Sequence, residues 1–159
     1  MYKVGLGQDS HSFDKEKKPL ILGGIVISDK NGLKANSDGD VIIHSLCNAI
    51  SSAIGGDSLG TWADEMCLEQ GIKDSAQYLK RTLTRIEEKK FVVENISISI
   101  EAKQPRLSLE IINKIKANLS SLLKINIDQA GITFTSGEGL TSFGRGEGIQ
   151  ALTIVLLKK

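Results

Sequence analysis

Apolar residues follow two different periods along the chain. Val4 and Leu6 alternate with other residues between Tyr2 and Phe13, which predicts a strand running into a loop. Leu20 to Ile27 reads as a second strand-like stretch broken by Gly23-Gly24, and Asp29-Lys30-Asn31-Gly32 supplies a turn. From Asp40 to Ile54 the period becomes helical: Ile42, Ile43, Leu46, Ala49, Ile50 and Ala53 recur on one side, with Ser37 or Asp38 as the cap and Gly55-Gly56 as the stop. A second helix is expected over Ser75 to Lys89, where Ala76, Leu79, Leu83 and Ile86 share a face. Phe91 to Ala102 returns to strand spacing, with Ile96, Ile98 and Ile100 on one side and Ser97 and Ser99 on the other. Leu109, Ile112, Ile115, Leu119 and Leu122 mark a third helix, and Ala130 to Thr135 and Ile149 to Leu157 give two last strands around a glycine-rich loop.

Strands and helices alternate without repeats or a linker, and the length suits one domain over residues 1–159. The expectation is an α+β fold, ferredoxin-like, with a mixed four-stranded main sheet and helices packed on one face. The strand face carrying Ser97 and Ser99 is too polar for a second helical layer and is a candidate for meeting another subunit.

Composition narrows the function classes. Hydrophobic residues at 40% and charged residues at 25% are ordinary globular usage, which argues against disorder. A formal net charge of +1 leaves no electrostatic footprint for nucleic acid or an anionic membrane, so a bound anion must be held by a local site. No apolar run approaches the ~20 residues that span a bilayer. The first residues lack the apolar core of a signal peptide. A cytoplasmic protein is expected, or one of an organelle stroma after removal of a transit peptide. Cys47 and Cys67 form no C-x-x-C pair and read as reduced thiols without catalytic duty.

Three segments carry candidate chemistry. In Asp9-Ser10-His11 the first and third side chains of an extended chain point the same way, and both are good zinc ligands. Alone, the pattern equally fits an Asx-type turn with a surface histidine. Ser37-Asp38-Gly39-Asp40 suits a helix start and places His44 about one turn inside. Taken alone, that histidine could equally face solvent or core. The chain has only 2 histidines, each near acidic residues, and two histidines with one carboxylate is the ligand count of a catalytic zinc site. Asn48, one turn beyond His44, is a candidate partner for its imidazole. The third segment runs from Thr135-Ser136-Gly137-Glu138-Gly139 to Gly144-Arg145-Gly146-Glu147-Gly148. Its glycines and hydroxyls suit a phosphate cradle, and Glu138 suits a hard cation such as Mg²⁺. A flexible interstrand loop has the same composition. It is neither a P-loop nor a dinucleotide fingerprint, since the lysine is missing and the glycines precede a strand.

Together these segments resemble the 2-C-methyl-D-erythritol 2,4-cyclodiphosphate synthase family. The match comprises G-x-D-x-H at Gly7 to His11, S-D-G-D-x-x-x-H at Ser37 to His44, and G-R-G-E-G at Gly144 to Gly148, in the family's order over nearly the whole chain. The resemblance implies a homotrimer with active sites at subunit interfaces, zinc on Asp9, His11 and His44, and a second cation, Mg²⁺ or Mn²⁺, on Glu138. It implies conversion of 4-diphosphocytidyl-2-C-methyl-D-erythritol 2-phosphate to the 2,4-cyclodiphosphate with release of CMP. The cytidine would lie near Ala102, Lys103, Gln104, Pro105, Arg106 and Leu107, and the diphosphate against Thr135, Ser136 and Arg145, with Phe143 a further substrate contact in the last loop. Asp9, Ser10, His11, Asn36 and Ser37 would also meet the substrate, and the erythritol would be contacted from the segment Asp57, Ser58, Leu59, Gly60 with Asp64, where Asp57 and Ser58 are rivals for one role. Ser136 and the residue at position 36 would stabilise the transition state.

The usual family residue at position 36 is histidine, and here it is asparagine, which donates a hydrogen bond but carries no charge. Two other classes share the residue pattern: a zinc hydrolase using Asp38 or Asp40 as base, and a trimeric binding protein without turnover. Asn36→His is expected to raise turnover by about tenfold or less, equivalent to roughly 1.4 kcal/mol. The gain should grow below the imidazole pKa, near 6.5. A pH–rate comparison of the two proteins checks this, and equal or lower turnover for the histidine variant would show that asparagine is adapted to its site.

Overall fold

Burial alternates along the first strand, β1 (Tyr2–Ser12), with Gly5 and Gly7 buried and Val4, Leu6 and Gln8 exposed, so one face meets the core and the other does not. In the computed structural model, which describes residues 1–159, β1 leads into the hairpin β2 (Leu20–Leu22) and β3 (Ile25–Ser28). Helix α1 (Val41–Ala53) follows, then a short helix α2 (Gly60–Asp64) continued by a π-helical turn over Glu65–Glu69, and α3 (Ser75–Glu88). The chain goes on through β4 (Val92–Glu101), α4 (Leu109–Leu123), β5 (Ala130–Thr135), a one-turn α5 (Ser142–Arg145) and β6 (Gly148–Lys158).

The main sheet has the order β1-β6-β4-β5, with β4 and β5 parallel and the other pairs antiparallel. This is the expected mixed four-stranded α+β sheet, but it is not ferredoxin-like. That arrangement runs β-α-β-β-α-β, whereas here both helical crossovers come before the last two strands, and this order leaves β5 parallel to β4. Helices cover one face over a single core that includes Ile96, Ile98, Ile100, Ala151, Val155, Leu46 and Ile50. The other face presents Ser97, Ser99, Val4, Leu6, Leu152 and Ile154 and is uncovered.

Helix α1 is buried on almost every side, since the sheet lies against one flank and α3 against another. Its cap is Asp40, later than the expected Ser37 or Asp38. The Asp40 carboxylate accepts from the N–H groups of Ile42 and Ile43 at 3.1 Å each and also from Gly23 (2.9 Å) and Gly24 (2.6 Å) at the hairpin turn. One side chain thus joins the hairpin to the helix start. Burial pushes this carboxyl up to about 6, against the pull of those N–H donors. In α4 the buried stripe is Ile115, Leu119 and Leu123, while Leu109 is exposed. The short α2 and its π-helical extension were not legible from periodicity; Trp62, Ala63, Met66 and Cys67 bury one side of them.

Packing of α1 on β1 is unusually close. A Cβ on Gly5 would sit 1.9 Å from the Ala49 carbonyl oxygen, and one on Gly7 would sit 2.1 Å from the Ser45 oxygen and 2.2 Å from the Ala49 nitrogen. These are backbone atoms of a helix and cannot yield separately. Gly7→Ala should therefore push α1 off the strand and destabilise the fold by about 3 kcal/mol, the upper end of overpacking costs. A denaturant titration checks this, and a loss below about 1 kcal/mol would show that the helix shifts freely.

Candidate metal centre and substrate cavity

Asp9 and His11 lie two residues apart on β1, opposite Ala151 and Ile149 of β6, and both project toward the helical layer. His44 enters from the first turn of α1. The close helix–strand contact brings the three together. Asp9 Oδ2 is 3.1 Å from His11 Nε2 and 3.1 Å from His44 Nδ1, and the three ligand atoms lie within 4.8 Å of one another. Ligands at ~2.0–2.2 Å from a tetrahedral ion stand ~3.3–3.5 Å apart, so this donor set fits a divalent cation after small adjustments. One carboxylate oxygen facing two imidazole nitrogens is itself an arrangement that calls for shared positive charge.

The electrostatics agree. Burial raises the Asp9 carboxyl, but hydrogen bonds and charge attraction from His11 and His44 outweigh it and hold the group at about 2. His11 is raised above its ordinary value, first by its hydrogen bond to Asp9, against the effect of burial. Asn48 does not reach His44. Its amide donates to the Gln8 carbonyl (3.1 Å) and accepts from the Leu59 N–H (2.8 Å), tying β1 to the segment before α2. The partner of His44 Nε2 is the Ser75 hydroxyl at 2.7 Å, at the start of α3. Ser75 in turn donates to Asp38. Nothing in the spacing of these residues indicated that contact.

A cavity of about 570 Å³ opens over the centre. Among the expected substrate residues it is lined by Asn36, Ser37, Leu59, Gly60 and Asp64, and Lys34 and Cys67 join them. Asp57 and Ser58 open instead on a neighbouring depression with Gln8 and Ser52. Ser10 points to the uncovered face of the sheet. Neither acid considered as a hydrolytic base is free: Asp40 is fully buried among its four N–H donors, and Asp38 is engaged by Ser75.

The glycine-rich segment forms a second cluster that runs from the end of β5 to the start of β6, where the Phe13 N–H donates to the Glu147 carbonyl (3.1 Å). Gly137, Glu138 and Gly139 all adopt positive φ, which glycine tolerates and Glu138 (φ 50°) does not do cheaply. Ser136 donates to Glu138 Oε1 (3.0 Å), and Arg145 donates to Glu147 (2.9 Å) and to Ser142 (2.9 Å). The segment from Ala102 lies against this loop, with the Ala102 N–H donating to the Thr135 carbonyl (3.0 Å) and that of Lys103 to Phe143 (3.1 Å). Gln104 and Pro105, joined by a cis peptide bond, line a separate cavity with Phe13, Leu20 and Gly146. Arg106 and Leu107 follow in the loop before α4. Thr135 faces the uncovered side of the sheet, whereas Asp9 and His11 face the helices. With β6 and β4 between them, β1 and β5 are roughly 14 Å apart, three strand spacings.

A model described as the YgbB family matches residues 2–158. The chain belongs to that family. It is 42% identical over 157 residues to the 2-C-methyl-D-erythritol 2,4-cyclodiphosphate synthase of Chlamydia muridarum, covering 98% of this chain and 87% of that one. It is 34% identical to the bifunctional IspDF of Campylobacter jejuni, with a TM-score of 0.87 over 99% of this chain, which spans 42% of that longer one. A CDP complex of IspF from Plasmodium falciparum is 30% identical with a TM-score of 0.84, covering 98% of this chain and 95% of that one. No helix here is long and apolar enough to cross a membrane.

The titrating centre gives metal-free protein a distinctive pH dependence. Asp9 lies below its unfolded value of ~3.9, so its contribution to stability is complete above that value and is lost as pH falls through about 2. His11 lies above its unfolded value of ~6.5, so its contribution is complete below that value and is lost as pH rises through its folded pKa. Metal-free protein should therefore gain most from this site between about pH 4 and 6.5. Thermal melts after chelation check this: stability should decline on the alkaline side, His11→Gln should flatten that decline, and zinc, which binds neutral imidazoles, should remove it.

Proposed function

We propose that the chain is a 2-C-methyl-D-erythritol 2,4-cyclodiphosphate synthase of isoprenoid precursor biosynthesis, a single catalytic domain over residues 1–159 acting in the cytoplasm. The observation that carries this reading is the convergence of Asp9, His11 and His44 under one cavity in a chain 42% identical over 98% of its length to a synthase of that name. The substrate is 4-diphosphocytidyl-2-C-methyl-D-erythritol 2-phosphate. An oxygen of its 2-phosphate bonds to the β-phosphorus, the bond from that phosphorus to the CMP oxygen breaks, and CMP leaves with the electron pair.

The attacking phosphate is already anionic, so no side chain has to remove a proton, consistent with both histidines being committed to the metal centre. Zinc on Asp9, His11 and His44 would polarise the attacked phosphate, and Mg²⁺ or Mn²⁺ on Glu138 would offset charge on the leaving CMP. The chain's own residues orient and bind. Lys34 supplies positive charge at the cavity rim, the Asn36 amide offers a donor there, and Arg145 and, once Glu138 takes a cation, the Ser136 hydroxyl offer donors from the glycine-rich loop. Leu59, Gly60 and Asp64 close the wall on which the erythritol would rest, with Asp57 and Ser58 just outside it in a single chain. Holding both reacting phosphates in one site makes the attack intramolecular.

Assembly as a homotrimer is part of this reading. The metal centre lies on the helical side of the sheet at β1, while Thr135, where the glycine-rich loop leaves β5, faces the uncovered side, which supports a neighbouring copy bringing its loop to each centre. The uncovered sheet face, with Val4 67% and Leu6 58% exposed, offers apolar area for such contact.

Incubating purified protein with the cytidine substrate and Mg²⁺ and recording product masses tests the proposal. Cyclic diphosphate with CMP is expected; CMP with linear products would indicate a hydrolase, and binding without turnover a non-catalytic protein. Glu138→Gln should cut turnover strongly while zinc content is retained, and a parallel fall in zinc would break the division between the two metal sites.

A further inference from the structure

The geometry points to a proton-ordered chain, Asp38 to Ser75 to His44, that holds His44 in the one neutral tautomer able to bind a cation, making Ser75 and Asp38 positioning residues. This rests on the reading of Asp9, His11 and His44 as a metal centre. As a carboxylate, Asp38 only accepts hydrogen bonds. It takes the Ser75 N–H at 2.9 Å on Oδ2, and the Ser75 hydroxyl and the Asp40 N–H (3.1 Å) on Oδ1. The single hydroxyl proton of Ser75 is thereby committed to Asp38. What Ser75 Oγ turns toward His44 Nε2, at 2.7 Å, is a lone pair, so Nε2 must carry the proton. In the neutral ring His44 Nδ1 is then left unprotonated, and it is the nitrogen 3.1 Å from Asp9 Oδ2, to which it donates only when the ring is charged. Ser37 Oγ is also near Nε2, but at 3.5 Å, and it accepts from the Gly39 N–H.

The chain is built into the fold and does not hang from one loop. Ser75 is fully buried at the first position of α3, and the backbone N–H of Asp38 donates to the Lys73 carbonyl at 2.9 Å, so the loop before α1 is fastened to the start of α3 at two levels. A histidine ligand whose second nitrogen is held in this way is oriented before the ion arrives, and partners of this kind are typically worth about 10- to 100-fold in metal affinity.

Two measurements on the full chain test it. Nitrogen-15 NMR of metal-free protein in alkaline buffer reads the tautomer of His44 directly, and competition with a chromophoric chelator reads zinc affinity. Wild type should show the Nε2–H form. Ser75→Ala should lose about 10- to 100-fold in zinc affinity and mix the tautomers, and Ser75→Thr, which keeps the hydroxyl, should restore both. Asp38→Asn allows the amide to donate to Ser75 and turns its hydroxyl proton toward Nε2, so the Nδ1–H form should grow and zinc affinity fall. An Nδ1–H tautomer in wild type, or Ser75→Ala binding zinc as tightly as wild type, would overturn the proposal. Should wild type bind no zinc, the metal-centre reading fails, and the tautomer spectra still decide the hydrogen-bond chain.

Discussion

The close contact between α1 and β1 is the constraint on which the rest of the molecule depends. Two glycines on the buried face of β1 leave no side chain between strand and helix, so the backbone of α1 rests almost directly on the strand. Only at that spacing does a histidine in the first helical turn reach a carboxylate on the strand. The same contact explains why α1 is apolar around most of its circumference and why its few polar groups are individually paired. Ser45, for example, meets Thr153 of β6 at 2.7 Å in the buried layer.

Once strand and helix are fixed, charge organises the surroundings. Asp38 and Asp40 stand two residues apart, yet their environments assign them different work. Asp40 is wholly buried and binds backbone N–H groups from the hairpin and the helix start, a structural clamp in which side-chain chemistry toward substrate has no place. Asp38 looks the other way, toward α3. The single loop from Ser37 to Asp40 therefore links hairpin, central helix and peripheral helix, and the cavity above the metal centre is walled by segments anchored to it.

Much of this was legible in the residues. Period-two burial on β1 and β4 and the helical periods of α1 and α3 appear directly in the apolar pattern, and the alternation on β1 by itself puts Asp9 and His11 on one side. What escaped was set by contacts distant in sequence. Asn48 has the helical spacing to reach His44, but β1 and the loop before α2 compete for its amide and prevail. Ser75 is 31 positions from His44 and unremarkable in composition, so only the docking of α3 reveals it. The connection order likewise escaped: alternating strands and helices fit a ferredoxin-like path as well as this one, and the choice is made by β6 inserting between β1 and β4. Similarly, α2 and its π-helical turn are too short to show a period, and they are held by the burial of Trp62 and Met66.

The placement of β6 has a consequence for how the molecule is made. Its centre-sheet position pairs Tyr2 with Lys158 and Asp9 with Ala151, so the first strand synthesised finds its only main-sheet neighbour in the last. During translation, at about 5–20 residues per second, α1 and the hairpin have time to form local structure, but β1 must wait with one edge unpaired. Pairings this distant in sequence close slowly because the intervening chain must first be brought together. Between ribosome and native state, β1, with Asp9 and His11 on it, is thus the segment exposed longest to aggregation, and chaperone contact would matter there most.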